Sequence, residues 1–299
     1  MTGDGDAPSV ANGLVRGGVS QSTTAPWSFD EDVRRYSDGG WGAMGIWLQK
    51  LTDDSMRDIR LPPPLPGEDR VERAVSTLRA FGLRVSHVVG SGFYTEASDE
   101  ARARTVDHTV VAIRVAERLA APCLVVVPGR LNGLTRRRAF DVSAAAISEA
   151  LERTDRSPVH LALEPVTELD FVSTLDEALD LADLVDHERV GVLPDSFHVL
   201  RDPAAPDAIQ RAAGRILAVH LADALGDGTW ARLPPGEGRL DLLNLVTRIG
   251  ATGYRGTYDV ELISIGATRA EAGELLARCA TGMDAIVGEV TPHSPSPSA

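Results

Sequence analysis

The sequence has few of the features that mark secreted, membrane or nucleic-acid-binding proteins. Its two cysteines lie in an apolar run (Cys123) and a helical pattern (Cys279), so neither fits a disulfide framework or a CxxC metal motif. Lys and Arg number 30 against 43 Asp and Glu, which leaves no basic excess for phosphate backbones or anionic lipid. No apolar stretch reaches membrane-spanning length, and the start, MTGDGD, lacks a signal peptide's basic head and apolar centre. We therefore expect a cytoplasmic protein that binds neither nucleic acid nor membrane.

The repeating unit of the chain is a short apolar run followed by a helical pattern, at intervals of about thirty residues. The predicted strands are 13–20, 42–48, 84–89, 122–129, 159–164, 190–195, 215–220 and 256–261. Predicted helices cover 28–38, 69–81, 99–120, 135–153, 174–185, 241–249 and 268–287. Eight strands, seven of them followed by a predicted helix, in a chain of 299 residues predict an α/β fold of the (β/α)8 TIM barrel type in a single domain. A doubly wound open sheet is the alternative.

Boundary signals support this division. The barrel is predicted over 12–288, after a small, polar, acidic lead-in at 1–11 and before a Pro/Ser tail at 289–299, both expected to be disordered. Gly82 follows the second predicted helix and should end it. Capping boxes open three helices, at Ser28 with Glu31, Thr174 with Glu177, and Thr268 with Glu271.

Four of the predicted strands end in residues that bind metal ions: Glu164, Asp195, His220 and Glu261. Each is the last inward residue of its strand, at the barrel face where the carboxyl ends meet. Any one alone could instead be a cap or a surface charge, but so many carboxylates together repel one another unless a cation neutralises them. The set predicts one divalent ion with open positions, most suitably Mn²⁺, with Mg²⁺, Co²⁺ or Zn²⁺ as alternatives.

Three further polar residues are candidates for contact with substrate. His198, three residues beyond Asp195, is predicted to contact substrate, although it could merely close a turn. Asp223 either orients the loop after His220 or contacts substrate, and His87, in the third strand, is another candidate for the pocket.

Two positions are open to a structural interpretation as well as a functional one. Trp47, near the end of the second strand, is a candidate for stacking on a sugar ring, although core packing explains it equally well. Asp259 lies two residues before Glu261 and so inside the barrel wall, where we expect it to make a supporting hydrogen bond.

An ordered set of motifs resembles one family. They are Leu161-Ala-Leu-Glu-Pro165, Asp195-Ser-Phe-His198, His220-Leu-Ala-Asp223, Pro235-Gly-Glu-Gly238 with Leu240-Asp241, and Tyr258-Asp-Val-Glu-Leu262. Across residues 13–288 the chain resembles the xylose-isomerase-like TIM barrels known as sugar phosphate isomerases/epimerases. That group includes the tagatose epimerases, hydroxypyruvate isomerase and inosose dehydratase, with endonuclease IV more distant. Its members are often dimers or tetramers, so a homo-oligomer is compatible with the resemblance.

The resemblance assigns roles by matching positions. It implies that Glu164, Asp195, His220 and Glu261 hold the metal, that His198 touches the substrate, and that the two glutamates exchange the substrate's proton. The family's arginine shortly after the metal-binding histidine is matched only by Arg232 in a longer loop, where Trp230 could wall the pocket. A family glutamate six residues after the first ligand corresponds to Asp170, with Glu168 as the alternative.

Together these features predict a metal-dependent isomerase or epimerase of a keto-sugar or related polyol, acting by α-proton transfer through a metal-stabilised enediolate. One alternative is a lyase or dehydratase acting on a keto-inositol, dehydroshikimate-like or 3-keto-glycoside substrate through the same intermediate. Another is a non-catalytic barrel that binds a sugar or a partner. The acidic balance and the lack of a glycine-rich phosphate loop favour an unphosphorylated substrate.

Overall fold

The computed structural model describes residues 16–53, 55–96, 98–226, 229 and 231–290. Eight parallel strands pair in the order β6-β5-β4-β3-β2-β1-β8-β7. They are β1 (Arg16–Ser20), β2 (Trp41–Trp47), β3 (Arg84–Gly92), β4 (Cys123–Val127), β5 (His160–Leu163), β6 (Val190–Val192), β7 (Val219–Leu221) and β8 (Tyr258–Val260).

Closure of the ring distinguishes a barrel from an open sheet. The backbone N–H of Val192 donates to Arg215 O at 2.9 Å, and Leu217 N–H donates back to Val192 O at 3.0 Å. A second parallel bridge joins Asp195 to His220. These bonds connect the two ends of the strand order, so the predicted (β/α)8 barrel is confirmed and the doubly wound alternative is excluded.

Ten α-helices surround or cap the strands within the described ranges. They are α1 (Phe29–Asp38), α2 (Leu48–Thr52), α3 (Glu68–Phe81), α4 (Asp99–Arg118), α5 (Arg136–Glu152), α6 (Leu175–Val185), α7 (Ser196–Val199), α8 (Ala205–Arg211), α9 (Leu242–Ala251) and α10 (Arg269–Val290). The seven long ones match the predicted helices. The sequence did not predict α2, α7, α8 or a 3₁₀ turn at Gln21–Thr24, because segments this short show no helical period. None of the described helices has the length and hydropathy needed to cross a membrane.

Several predicted boundaries shift. Strands β6, β7 and β8 have three residues each, so Asp195 and Glu261 lie just beyond their strands, and β7 begins four residues later than predicted. The last helix runs to Val290 and takes in the first two residues of the predicted tail. Residues 1–15 and 291–299, which include the lead-in and the rest of that tail, lie outside the described residues.

Side-chain caps form at all three predicted helix starts, and one of them is a complete capping box. Thr268 N–H donates to Glu271 Oε2 at 2.7 Å, and Glu271 N–H donates to Thr268 Oγ1 at 3.3 Å, which makes a reciprocal box. The hydroxyls of Ser28 and Thr174 also accept from amides three residues on, but the predicted boxes are incomplete there, because the carboxylates of Glu31 and Glu177 bond to Arg35 and Ser173 instead. Gly82 adopts a φ of 64° at the end of α3, a left-handed conformation that glycine tolerates without strain.

Apolar side chains fill two separate spaces. The larger core lies between strands and helices, and a smaller cluster lies inside the barrel, formed by Ala25, Trp47, Met56, Val89, Cys123, Val125, Ala162, Leu193 and Ala218. Ala162, Leu193 and Ala218 are two residues before Glu164, Asp195 and His220, so alternation along the strands turns all of them inward. Both cysteines are buried and free, as predicted.

Candidate metal centre

Four side chains from four neighbouring strands meet at the carboxyl-terminal face of the barrel. Glu164 follows β5, Asp195 follows β6, His220 lies in β7 and Glu261 follows β8. One potential ligand atom from each lies within 4.8 Å of the others, and all four residues are buried. The structure therefore brings together the four residues that the strand ends singled out.

Backbone hydrogen bonds hold the carboxylates in place. The amides of Glu164 and Glu261 continue the ladders past the strand ends, donating to Val126 O at 2.9 Å and Leu221 O at 3.0 Å. Asp195 caps the short helix α7, because its Oδ1 accepts from Phe197 N–H at 2.8 Å. Its other oxygen, Oδ2, lies 2.5 Å from Arg232 Nη1. The hydrogen bond that begins α7 thus also orients the carboxylate of Asp195, a candidate ligand.

His220 is the central member of the cluster. Its Nδ1 lies 3.1 Å from Glu164 Oε1 and 2.9 Å from Glu261 Oε2. Burial alone would lower the pKa of His220, but the charge of Glu261 and the hydrogen bonds to both glutamates outweigh it and raise the pKa well above its usual value. The imidazolium form is therefore favoured between the two carboxylates.

The two glutamates differ in proton affinity. Burial raises the pKa of Glu164 to about 6. Burial would also raise the pKa of Glu261, but the positive charges of His220 and Arg232 lower it well below the usual range. Buried carboxyl groups with such different pKa values are typical of acid–base sites.

Arg232 reaches the cluster from the loop after β7. Its Nη1 lies 2.5 Å from Asp195 Oδ2, and its guanidinium stacks 4.6 Å above the ring of Phe197. Nη2 lies 3.1 Å from His198 Nε2. Because arginine only donates, Nε2 of His198 accepts from it. Arg232 thus occupies the region where the resemblance expects an arginine.

Glu168, rather than Asp170, approaches the site. Its Oε2 lies 3.3 Å from His198 Nδ1, whereas Asp170 accepts a hydrogen bond from Leu131 N–H at 2.9 Å, away from the cluster. Burial lowers the pKa of His198 to about 4, so the imidazole is neutral near pH 7. Its Nε2 accepts from Arg232, and its Nδ1 lies beside Glu168 and 3.3 Å from the backbone nitrogen of Thr167.

A cavity of about 570 Å³ opens onto these residues, within the range of about 300–1,000 Å³ that small-molecule sites occupy. Its polar walls are Glu164, Glu168, His198, Arg232 and Glu261. The remaining lining is apolar: Trp47, Ile59, Leu61, Val89, Phe93, Val127, Val166, Leu169, Phe197, Ala231 and Ile263. Among these described lining residues Arg232 is the only one with a permanent positive charge.

Trp47 is among the residues that line this cavity. Its Nε1–H donates to Ser20 Oγ at 2.9 Å, and Ser20 in turn donates to Glu261 Oε1 at 2.9 Å. Nothing in the sequence singled out Ser20 except its place at the end of β1. Trp230, also predicted to contact substrate, lies outside the described residues.

Two other candidates lie away from the cavity wall. The carboxylate of Asp223 accepts hydrogen bonds from three backbone amides, those of Ala224, Gly236 and Leu240, at 2.8 to 3.0 Å. These bonds match the loop-orienting alternative. His87 is fully buried against the far side of His220, with 3.0 Å between the two Nε2 atoms. Direct contact of either residue with substrate stays a prediction.

The sequence pattern of a known family, the xylose isomerase-like TIM barrel, matches residues 42–279. The chain belongs to this family. The membership predicted from the motifs is therefore confirmed.

Curated relatives match this chain in part. It is 35% identical over 103 residues to a 3-dehydroshikimate dehydratase of Pseudomonas putida, which covers 32% of this chain and 16% of that protein. It is 29% identical over 134 residues to the L-ribulose-5-phosphate 3-epimerase UlaE of Escherichia coli, covering 44% of this chain and 45% of the epimerase. The chain thus spans less than half the length of these curated relatives.

Solved structures match over nearly the whole barrel. Protein SMc04130 of Sinorhizobium meliloti has a TM-score of 0.79 and 26% identity, covering 92% of this chain and 99% of that one. IolI, crystallised with a zinc atom, has a TM-score of 0.76 and 18% identity, covering 92% and 98%. An L-ribulose 3-epimerase has a TM-score of 0.71 and 19% identity, covering 94% and 100%. At these identities the last two share the barrel fold with this chain.

Proposed function

We propose that this xylose isomerase-like barrel is a divalent-metal-dependent isomerase or epimerase of a keto-sugar or related polyol. One observation carries the proposal: two glutamates, an aspartate and a histidine, all buried, converge where a substrate-sized cavity opens. The three buried carboxylates outnumber the two positively charged groups beside them, His220 and Arg232, and a divalent ion would offset the remaining repulsion. Family membership and the named activities of its relatives support the same reaction class.

The residues present fit a divalent ion. Glu164, Asp195, His220 and Glu261 would hold it, and the excess of oxygen donors favours Mn²⁺, with Mg²⁺, Co²⁺ and Zn²⁺ as alternatives. The zinc atom named in the IolI structure keeps zinc among the candidates. When bound, such an ion supplies electrostatic stabilisation of negative charge on a substrate oxygen.

The chain's own residues supply the proton transfers. One of the two glutamates accepts the proton from the carbon beside the substrate carbonyl, and the C–H electron pair passes into the enediolate. The other glutamate returns a proton: to the opposite face of the same carbon for epimerisation, or to the former carbonyl carbon for isomerisation. For isomerisation a hydroxyl proton must also move between the two oxygens, a transfer that we assign to His198.

His198 and Arg232 would orient the substrate. Nε2 of His198 and the guanidinium of Arg232 line the same cavity as the glutamates, where they can bind hydroxyl groups. Trp47 and Phe197 form apolar walls that exclude water from the reacting carbon.

The charge of the cavity favours an unphosphorylated substrate. Among the described lining residues Arg232 is the only arginine or lysine, and Asp195 already holds it at 2.5 Å. A phosphate group would face Glu164, Glu168 and Glu261 with little positive charge to offset them. Although UlaE is named for a sugar phosphate, we propose an uncharged polyol for this chain.

A lyase or dehydratase is the second candidate. The 35% identity to a 3-dehydroshikimate dehydratase over 103 residues is the observation that favours it. The first proton abstraction would be the same, followed by loss of a hydroxyl group from the next carbon. A non-catalytic barrel is a weaker proposal, because it gives no reason to bury three carboxylates beside an open cavity.

The deciding experiment is metal analysis of the purified protein, followed by ketoses, inososes and 3-keto-glycosides incubated with Mn²⁺ in D₂O. Deuterium entering a substrate carbon without loss of water supports the isomerase or epimerase. An unsaturated product supports the lyase. Sugar phosphates serve as the comparison set, and a marked preference for them would contradict the proposed substrate class.

Glu261→Gln tests the acid–base role. We expect a drop in turnover of at least about a hundredfold, since positioned general acid–base catalysis contributes about 10²–10⁴-fold. The control is Glu274→Gln, an exposed glutamate of α10 that should keep full activity. Wild-type turnover by Glu261→Gln would sink the assignment.

A further inference from the structure

A second polar cluster lies inside the barrel, toward the amino-terminal ends of the strands from His220. It consists of Ser86 and His87 on β3 and Asp259 on β8, all buried. His87 Nε2 lies 3.0 Å from His220 Nε2, and His87 Nδ1 lies 3.2 Å from Ser86 Oγ. Ser86 Oγ donates to Asp259 Oδ1 at 2.6 Å. A continuous path of hydrogen bonds therefore joins Asp259 to the metal-facing histidine, and none of its three members lines the cavity.

The direction of these bonds is fixed from the carboxylate end. Ser86 Oγ donates its single hydrogen to Asp259 Oδ1, so the Ser86 oxygen is left to accept from Nδ1–H of His87. A neutral imidazole with its proton on Nδ1 has a lone pair on Nε2, so His87 accepts from Nε2–H of His220. The remaining nitrogen of His220, Nδ1, is the one that faces Glu164 and Glu261.

Two glycines on adjacent strands make room for this path. A Cβ on Gly45 of β2 would lie 2.3 Å from Cε1 and Nε2 of His87, and a Cβ on Gly18 of β1 would lie 1.9 Å from Asp259 Oδ1. Neither glycine has a positive φ, so the requirement is space and not backbone conformation. Branched apolar side chains usually fill a barrel of this type. Here glycines on β1 and β2 leave space inside the barrel for the imidazole of His87 and the carboxylate of Asp259.

Packing alone gives no account of this arrangement. Asp259 Oδ2 has no hydrogen-bond partner and lies 3.8 Å from His87 Nδ1, and an incompletely satisfied buried carboxylate destabilises a fold. By contrast, a histidine that binds a metal usually donates its other N–H to a carboxylate, a carbonyl or water. Here a second imidazole and a hydroxyl extend that connection to Asp259.

We propose that Asp259, Ser86 and His87 are positioning residues that hold His220 with Nδ1 turned toward the metal and so strengthen metal binding. The inference rests on the metal site of the proposed function. The three residues act through His220 and make no contact with the substrate cavity. Their effect should therefore be measurable in metal binding without any substrate.

The first test is calorimetric titration of metal-free protein with Mn²⁺. Asp259→Asn should weaken binding by about 10- to 100-fold, the usual effect of losing such a supporting residue, and Ser86→Ala should weaken it in the same direction. The control is Ser91→Ala, also buried on β3, whose hydroxyl bonds to Thr109 Oγ1 at 2.8 Å outside the barrel. It should bind Mn²⁺ as the wild type does.

The second test measures which ring nitrogens of His87 and His220 carry a proton. Two-bond ¹H–¹⁵N spectra of the Zn²⁺-loaded wild type should place the His87 proton on Nδ1 and the His220 proton on Nε2. A proton on Nδ1 of His220 in the loaded protein would overturn the proposal. This spectrum needs no variant, so it decides the question even if Asp259→Asn does not fold.

The outcomes distinguish failure of the relay, the hydrogen-bonded path from Asp259 through Ser86 and His87 to His220, from failure of the metal site. If the wild type binds Mn²⁺ and both Asp259→Asn and Ser86→Ala bind it within about twofold of the wild type, the relay is wrong and the metal site stands. If the wild type binds no divalent ion, the proposed function fails together with the relay. Weaker binding by both variants, with Ser91→Ala unaffected, supports the relay.

Discussion

At the scale of single residues, Asp195 and His220 each use both polar atoms of the side chain, and the two atoms have different partners. Asp195 caps α7 through Oδ1 and contacts Arg232 through Oδ2. His220 meets two glutamates through Nδ1 and His87 through Nε2. The cap of α7 and the contact with His87 therefore hold these two candidate ligands in position before any ion binds.

Gly45→Ala tests the space reserved beside His87. The new Cβ would overlap the ring at 2.3 Å, and overpacking of this kind costs about 1–3 kcal/mol in the free energy of unfolding. Urea denaturation measures the effect. The matched control is Gly250→Ala in α9, which meets nothing within 4 Å and should stabilise the protein by about 0.5–1 kcal/mol. Equal effects of the two substitutions would show that the barrel interior adjusts freely at β2.

At the scale of elements, caps and loop anchors set where the functional segments begin. The hydroxyl of Thr174 opens α6 by accepting from Glu177 N–H at 3.3 Å. Asp223 gathers the loop between β7 and α9 by accepting from three amides, and this loop carries Arg232. Hydrogen bonds within this loop thus help to position Arg232, which contacts Asp195 in the candidate site.

Thr174→Ala should destabilise the protein by about 1 kcal/mol, because the first turn of α6 loses its side-chain acceptor. Chemical denaturation gives the value. Thr174→Ser keeps the hydroxyl and should recover most of the loss. If serine is no better than alanine, the threonine methyl group and not the cap accounts for the effect.

Asp223→Ala should loosen the loop that holds Arg232. Three amides lose their acceptor, and an unsatisfied buried donor costs about 1–3 kcal/mol, so hydrogen exchange at Ala224, Gly236 and Leu240 should accelerate at least about fivefold. Asp207→Ala, at an exposed position in α8, is the control. Unchanged exchange rates in Asp223→Ala would mean that other contacts hold the loop.

At the scale of the whole molecule, the candidate ligands link the last four strands of the barrel. A metal that binds only the folded chain stabilises it by mass action, about 2.7 kcal/mol at a concentration of 100 times the Kd. For a domain of this size that corresponds to a rise in Tm of roughly 5–10 °C.

Thermal unfolding with EDTA and with excess Mn²⁺ measures that rise. Glu261→Ala should show little or none of it, whereas Thr174→Ala should start from a lower Tm and rise by the same amount as the wild type. An equal response of Glu261→Ala and wild type would place the stabilising ion elsewhere on this acidic chain.

The sequence alone determined the barrel, the seven long helices, their caps and the four residues of the candidate metal centre. These features depend on the alternation of inward and outward residues in strands, on the helical period and on capping residues, all of which are encoded by residues close together in the sequence. Only the tertiary structure decided that Glu168 and not Asp170 meets His198, that Arg232 reaches Asp195, and that Asp259 connects to His220 through Ser86 and His87. Such contacts depend on loop paths and on the register between strands distant in sequence, and no local pattern records either.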